Sequence, residues 1–239
     1  AVDTRTFTDA FADSSIITNE AVYTTGGILD NFPPPPSTVA VVYKNRIVTN
    51  SSDETGLTIY SKQSTAGEAV SFTQEFSIAA DPEGKPTRAF GIVDDKLLIA
   101  KDDVWFATAG QGPNDAGQFN DFIVPERLAV SVGCSEPQSV VVTKEGIIFK
   151  SARGFYMIGR DLSETFIGAP VEDFNTLSIA SSLQMPVDNE VRFIHRDGQA
   201  LVYNIFFQQW STFTNYAAQD AVLWRSVFTM VDSEGQVRQ

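Results

Sequence analysis

Short runs of β-branched and aromatic residues alternate along most of the sequence with clusters of Gly, Asp, Asn, Ser and Pro. Such runs are typical of β-strands, and the polar clusters between them are typical of tight turns. No stretch places apolar residues at i, i+3, i+4 and i+7 over three helical turns, so we expect little helix. The pattern therefore predicts an all-β fold.

Residues 139–168 show the pattern most clearly. Four apolar runs, at residues 140–142, 147–150, 155–158 and 165–167, are separated by three short polar segments, each of which contains Gly. Strands that follow each other so closely, joined by tight turns, form an antiparallel meander. This segment is therefore predicted to be one four-stranded sheet.

The same unit recurs along the chain. The other predicted strands lie at residues 39–43, 46–50, 57–61 and 71–76, then at 89–93, 96–101, 104–108 and 122–124, and finally at 178–181, 190–195, 200–203 and 210–213. The second strands begin near residues 46, 96, 146 and 190, which gives spacings of 50, 50 and 44 residues. A four-stranded repeat of this length is typical of the blades of a β-propeller.

Adjacent apolar residues within single strands support this interpretation. Ile147, Ile148 and Phe149 are consecutive, whereas a sheet with one solvated face would alternate apolar and polar residues. A blade is covered on both faces by its neighbours, and the chain's 18 Phe residues suit the spaces between sheets. We therefore expect a propeller of about four to five four-stranded antiparallel blades.

The two ends of the sequence bear on how the blades would close into a ring. Residues 221–224, 227–231 and 236–238 resemble three strands of a further blade, and residues 4–11 and 16–25 offer two more strands. Either an N-terminal strand completes the last blade, or the chain is a fragment of a longer protein. We expect the fragment, because strand-forming sequence runs to the last residue.

These features divide the chain into three predicted segments. Residues 1–30 hold the N-terminal strands that would complete a blade, residues 31–37 form a proline-rich lead-in, and residues 38–239 form the propeller domain. Four consecutive prolines at 33–36 favour an extended polyproline II conformation. A stiff lead-in to the first blade is the simplest role for this run.

Charge and composition exclude several classes of function. Lys and Arg number 17 against 30 Asp and Glu, and the net charge of −13 should repel DNA phosphates. No apolar run approaches the roughly 18 residues that span a bilayer, so no membrane span is expected. A single Cys (Cys134) and a single His (His195) exclude an internal disulfide framework and any site that needs two imidazoles. We predict no cofactor and no metal.

Two motifs with candidate chemistry are better explained as turns. Residues 51–58 resemble the Asp-box of sialidase-type propellers, with one extra residue before Gly56 and with Ile59 in place of the aromatic residue. This box is itself a hairpin turn, and no pattern selects the Arg, Tyr and acidic residues that sialidase chemistry needs. The pairs 94–95, 102–103 and 114–115 offer oxygen ligands for calcium, but they fall at predicted turns, where Asp and Asn are favoured.

The remaining candidates also have plain structural explanations. Residues 110–117 are Gly-rich but lack the Lys-Ser/Thr ending of a phosphate loop, so they are predicted to be a long, exposed loop between strands. His195 is expected to be an ordinary strand histidine, and Cys134 a buried thiol. Trp105, Trp210 and Trp224 are expected in the core. No catalytic, cofactor-binding or metal-binding residue is assigned.

A series of short sequence words runs through the chain in a fixed order. The words are GGILDNFPPPP (26–36), VVYKNR (41–46), LTIYS (57–61), FGIVDDKLLI (90–99), GQGPNDAG (110–117), GC (133–134), GIIFKSARGFY (146–156) and FIGAPVE (166–172). Together they resemble the propeller region of virion structural proteins of tailed double-stranded DNA phages. The similarity spans about residues 26–215 and points to the tail nozzle (tail tubular protein B) and tail-hub proteins of short-tailed phages.

The resemblance implies a non-enzymatic structural role in the virion tail, with assembly in the bacterial host cytoplasm. It implies a homo-oligomeric ring around the DNA exit channel and partners among other tail or connector subunits. DNA would pass nearby without specific binding, which the net charge of −13 would favour. Two alternatives remain open: a carbohydrate-binding or glycan-hydrolysing propeller, and a free-standing interaction scaffold unrelated to phages.

Overall fold

The computed structural model describes residues 28–81 and 83–239, and the predicted strands at 4–11 and 16–25 lie outside this part of the chain. Nineteen strands within it form five antiparallel sheets, with four strands in each of the first four sheets and three in the fifth. In every sheet the strands pair in chain order, so the all-β fold and the four-stranded repeat are confirmed.

The strand bounds lie within a few residues of the predicted ones. The first sheet contains β1 (Ala40–Tyr43), β2 (Arg46–Asn50), β3 (Leu57–Ser61) and β4 (Phe72–Ala79), and the second contains β5 (Ala89–Val93), β6 (Lys96–Ala100), β7 (Trp105–Thr108) and β8 (Glu126–Arg127). The third contains β9 (Val141–Val142), β10 (Gly146–Ser151), β11 (Gly154–Gly159) and β12 (Glu164–Phe166). The fourth contains β13 (Ile179–Met185), β14 (Glu190–His195), β15 (Ala200–Asn204) and β16 (Gln209–Phe213), and the fifth contains β17 (Ala218–Trp224), β18 (Val227–Asp232) and β19 (Val237–Arg238).

Helix is scarce, as the sequence predicts. Over the described residues only Pro137–Ser139 and Ala169–Phe174 are helical, both as short 3₁₀ segments in the connections between sheets. No helix in the described ranges has the length and apolar character to cross a membrane.

Successive sheets pack face to face. Four hydrophobic clusters each join one sheet to the next, and the first strands β1, β5, β9, β13 and β17 contact one another in that order. The first strands are therefore innermost, and the sheets stand around them as the blades of a β-propeller. Within residues 28–81 and 83–239 no hydrophobic cluster joins the fifth sheet to the first, so this ring of sheets is open.

Strand β10 shows why consecutive residues are apolar. Ile147 and Phe149 pack towards the second sheet beside Trp105, whereas Ile148 packs towards the fourth sheet beside Phe193. All five side chains are fully buried. Both faces of the third sheet are therefore core, as the sequence predicts for a blade.

One predicted strand is wrong. The fourth strand of the second sheet is Glu126–Arg127 and not residues 122–124, since Phe122 forms only an isolated bridge with Gly110. The ring of Phe122 instead packs against Tyr43, at 5.9 Å between centroids, and against Tyr60, at 4.8 Å. Because this ring fills the core between the first two sheets, pairing with β7 begins only further along the chain.

Candidate functional site

The Asp-box-like segment is a structural turn, as predicted. It connects β2 to β3, where the Ser51 hydroxyl accepts a hydrogen bond of 3.0 Å from the Glu54 backbone N–H. The Glu54 carbonyl in turn accepts one of 2.9 Å from the Leu57 N–H. These bonds hold the turn without using the Asp53 carboxylate.

The acidic pairs also lie at turns, and those at 94–95 and 102–103 are engaged with nearby cations. Asp102 accepts two hydrogen bonds from Arg88, of 2.7 and 3.0 Å. Asp103 pairs with Lys85 at 2.8 Å, and Asp94 contacts Arg160. In the part of the chain that the structure describes, no group of three or more His, Cys, Asp or Glu side chains is placed to hold a metal ion.

The Gly-rich loop is less exposed than predicted. It connects β7 to β8, but Gly112 and Pro113 are buried because Arg46 reaches the loop from β2. One terminal nitrogen of Arg46 donates to the Pro113 carbonyl, and the other donates to the Ser61 carbonyl at 2.8 Å. The guanidinium also lies over the rings of Tyr60 and Phe76, 5.6 and 5.5 Å from their centroids. Arg46 therefore anchors this loop to the first sheet.

Two buried lysines tie neighbouring sheets together, and sequence reasoning did not identify them. Lys101, which directly follows β6, donates to the Lys85 carbonyl at 2.6 Å and to the Thr87 hydroxyl at 3.0 Å. Lys150 in β10 donates to a Glu136 carboxylate oxygen and to the Leu177 carbonyl, both at 2.6 Å. Their partners lie in the connections between sheets, so these cations serve the fold and are not available to a ligand.

His195 and Cys134 lie inside the fold, as expected. Burial raises the pKa of the Cys134 thiol to about 12, which makes this group a poor nucleophile near neutral pH. His195 is fully buried at the end of β14, where burial and, secondarily, the charge of Lys150 lower the pKa of its imidazole. Neither side chain is placed to act on a substrate.

The lowered pKa of His195 predicts that the protein loses stability in mild acid. Below the ordinary His pKa of about 6.5 the unfolded chain binds a proton that the folded chain excludes. The free energy of unfolding should therefore decrease as the pH is lowered below this value. The contribution of His195 to the decrease is up to ~1.4 kcal/mol per pH unit. In the His195→Leu variant the free energy of unfolding should decrease less between pH 7.5 and 5.5. Urea unfolding, followed by Trp fluorescence, measures this free energy at each pH.

The sequence simplifies this comparison, because His195 is the only histidine. Carboxylates titrate in both proteins, so the difference between the two pH profiles isolates the imidazole. If the two profiles run parallel, the inferred burial of a neutral imidazole is wrong.

The most exposed apolar side chains of the fourth sheet lie together at one end of it. Phe206 and Phe207, in the β15–β16 turn, are 77% and 66% exposed, and Val187, in the β13–β14 turn, is 83% exposed. The two phenyl rings meet nearly edge to face at 5.0 Å, and a 2.9 Å hydrogen bond from Ile205 to Asn189 joins the two turns. We call Val187, Phe206 and Phe207 the sheet-4 tip.

A cleft lies beside the sheet-4 tip, between the third and fourth sheets. Its volume is about 340 Å³, and its lining combines aromatic, amide and carboxylate groups from both sheets: Glu145, Met157, Asn189, Tyr203, Ile205, Phe206 and Gln208. Sequence reasoning missed this region, although two consecutive Phe residues where a turn usually carries polar residues were a usable signal. The tip and its cleft are the candidate functional site.

The three Trp residues have different surroundings. Trp105 is fully buried, and Trp210 is partly buried with its indole N–H donating to the Ile167 carbonyl at 2.7 Å. Trp224, however, is 58% exposed, so its assignment to the core is wrong. The reason is that no sheet in the described ranges covers that face of the fifth sheet.

Comparisons with known proteins bear on the fold alone. No protein-family model and no curated protein matches the sequence. Three similar solved structures are the Pan2 WD40 domain of Neurospora crassa (12% identity, TM-score 0.47), BBS1N in complex with ARL6DN (12%, 0.52) and PorZ, a surface component of the type-IX secretion system of Porphyromonas gingivalis (9%, 0.51). They cover 75%, 86% and 88% of this chain, which spans 50%, 65% and 27% of theirs. Residues 28–81 and 83–239 form a β-propeller domain of five sheets.

Proposed function

We propose that this domain is a non-enzymatic structural subunit of a phage tail, and that it acts through protein–protein contacts. The sequence resemblance to nozzle and hub proteins motivates the specific role. The sheet-4 tip is the observation that carries the interaction role, since two neighbouring Phe side chains held in water at a turn gain free energy when a partner covers them. Aromatic side chains of this kind are enriched at protein interfaces.

The buried charges are consistent with a structural role. Three buried cations donate hydrogen bonds to backbone and side-chain groups of the fold: Arg46, Lys101 and Lys150. Several surface charges pair locally at turns, as Arg88 does with Asp102. In this proposal other tail or connector subunits bind the exposed apolar residues, and the net charge of −13 keeps passing DNA from adhering.

Mass spectrometry of purified virions that encode this chain tests the proposal. We expect the chain among the virion proteins, in an amount that matches a ring of several copies. Its absence from virions, with the protein present in the lysate of infected cells, would overturn the tail assignment.

Substitutions at the sheet-4 tip test the contact surface. Phe206→Asp/Phe207→Asp should abolish incorporation into virions while the purified variant keeps its circular dichroism spectrum, because a partner would have to bury the new charges. Phe119→Asp is the matched control, since Phe119 is 89% exposed on the second sheet's long loop. If Phe119→Asp blocks incorporation equally, the assignment to the sheet-4 tip is wrong.

The cleft beside the tip favours a second candidate function, the binding of a carbohydrate. The exposed ring of Phe206 and the amides of Asn189 and Gln208 suit the apolar faces and hydroxyl groups of a sugar ring. Glu145 is the only carboxylate in the lining, whereas glycoside hydrolysis uses a pair, so binding is favoured over cleavage. A glycan array with the intact chain decides this candidate: binding that Phe206→Ala abolishes supports it, and an empty array rejects it.

A further inference from the structure

The fifth sheet has one mainly apolar face that no described part of the chain covers. The Asp220 carboxylate lies beside this face and accepts a hydrogen bond of 2.8 Å from the Ser181 hydroxyl. The other face of the sheet packs on the fourth sheet through Ala221, Leu223, Phe228 and Met230. The uncovered face carries five apolar side chains and one Thr, most of which line a groove of about 440 Å³: Val222, Trp224, Val227, Thr229, Val231 and Val237. Three of them, Val222, Trp224 and Val237, are more than half exposed.

Strand register identifies this face as an unfilled interface between blades. In four of the sheets the first strand ends, directly before its turn, on the face towards the next sheet: at Tyr43 in the first, Val93 in the second, Met185 in the fourth and Trp224 in the fifth. The shorter first strand of the third sheet ends at Val142, on the opposite face. The first three of those four residues are at most 8% exposed because the next sheet covers them, whereas Trp224 is 58% exposed. Trp224 thus has the position of an interface residue without the sheet that would bury it.

The first sheet carries the complementary half of such an interface. Three side chains of the second sheet pack on the first sheet: Ile92, Leu97 and Phe106. The residues at the same register positions of the first sheet are Val42, Ile47 and Ile59. These three side chains lie on the opposite face from the first sheet's own cluster, and Val42 is 67% exposed. The run of prolines borders the part of this face that lies beside Ile59 and the fourth strand.

We propose that the fifth sheet of one copy packs against the first sheet of a second copy. The two faces are mainly apolar at their centres, and they have the side chains that the internal interfaces bury. In this structure they lie at opposite ends of an open series of sheets. Contact between two different faces joins copies head to tail, and such contacts close into rings when the rotation allows. The inference deepens the proposed function, because it names the surfaces that would join the subunits of the ring.

Crosslinking between two single-cysteine variants tests the contact. Val222→Cys and Val42→Cys lie on innermost strands, and innermost strands of successive sheets contact each other. We expect a short bis-maleimide to join the two variants when they are mixed, with a yield at least about tenfold above that of either variant alone. Cys134 needs no replacement, because it is buried and its thiol pKa is raised to about 12.

Three other crosslinking results would overturn the proposal, and each would indicate a different arrangement of the two faces. Crosslinked dimers from Val222→Cys alone would show that two fifth sheets pair with each other. A crosslink within single chains of the double variant, with none in the mixture, would show that one chain closes on itself. Absence of any crosslink would show that the two faces do not meet.

A second variant measures the same contact without crosslinking. Trp224→Asp should raise the dissociation constant for self-association of the full chain at least about tenfold in sedimentation equilibrium, because the carboxylate would be buried unpaired. Phe119→Asp is the control, since it places the same charge on an exposed apolar residue of the second sheet's long loop. Equal effects of the two variants, or none from Trp224→Asp, would overturn the proposal. These measurements use the purified chain, so they can fail while virion incorporation succeeds, and the reverse.

Discussion

Replacing Lys150 with Met should lower the free energy of unfolding by about 3 kcal/mol, because it leaves the Glu136 carboxylate largely buried without its cation. The Lys150 side chain is 3% exposed and that of Glu136 is 25% exposed, so water compensates poorly for the missing charge. The loss also removes the bond to the Leu177 carbonyl, in the connection that leads to the fourth sheet. Urea unfolding followed by Trp fluorescence measures the change.

Two further variants test whether the loss of the buried charge, and not the change in side-chain volume, causes the loss of stability in Lys150→Met. Lys85→Met removes an exposed pair with Asp103 and should leave the unfolding midpoint almost unchanged. Lys150→Met/Glu136→Gln should recover part of the loss, since the neutral amide still accepts the Ile179 N–H that now bonds to Glu136 at 2.7 Å. If Lys150→Met proves no more destabilising than Lys85→Met, the buried pair is not a stabilising tie between the sheets.

Strand pattern and repeat length predicted the sheets because both are local properties of the sequence. In β10, for example, three consecutive residues are apolar because neighbouring sheets cover both faces of the blade. This explanation requires no information about distant segments of the chain. The pairing of Lys150 with Glu136 was out of reach, because neither strand pattern nor turn composition shows which distant segment supplies a counterion. The same holds for Arg46, whose partner Pro113 lies 67 residues further along the chain.

The errors at Phe122 and Trp224 have a common cause. A strongly apolar residue suggests a core strand, but only the arrangement of whole sheets determines what lies against it. Phe122 leaves its sheet to fill a neighbouring core, and Trp224 occupies an interface position that remains uncovered in the described chain. The sheet-4 tip, by contrast, could have been recognised in the sequence, since two consecutive Phe residues at a predicted turn are unusual.

Removing the Trp105 side chain should have the largest effect of any single substitution considered, with a loss of about 3–5 kcal/mol for Trp105→Ala. This side chain is fully buried between the second and third sheets, with its ring 4.9 Å from that of Phe149. Alanine would leave a cavity bordered by Leu98 and Ile147, which are themselves fully buried and have little freedom to move into it.

The position of this cavity also predicts how the variant unfolds. Because each sheet packs only on its neighbours, a weakened contact between the second and third sheets should uncouple the two halves of the series. Hydrogen exchange should show the first two sheets and the last three opening separately in Trp105→Ala but together in the parent protein. Trp224→Ala is the matched control, since that side chain is 58% exposed, and at dilute concentration it should change neither stability nor exchange pattern. A loss in Trp105→Ala no greater than in this control would mean that the second and third sheets are not held together by this contact.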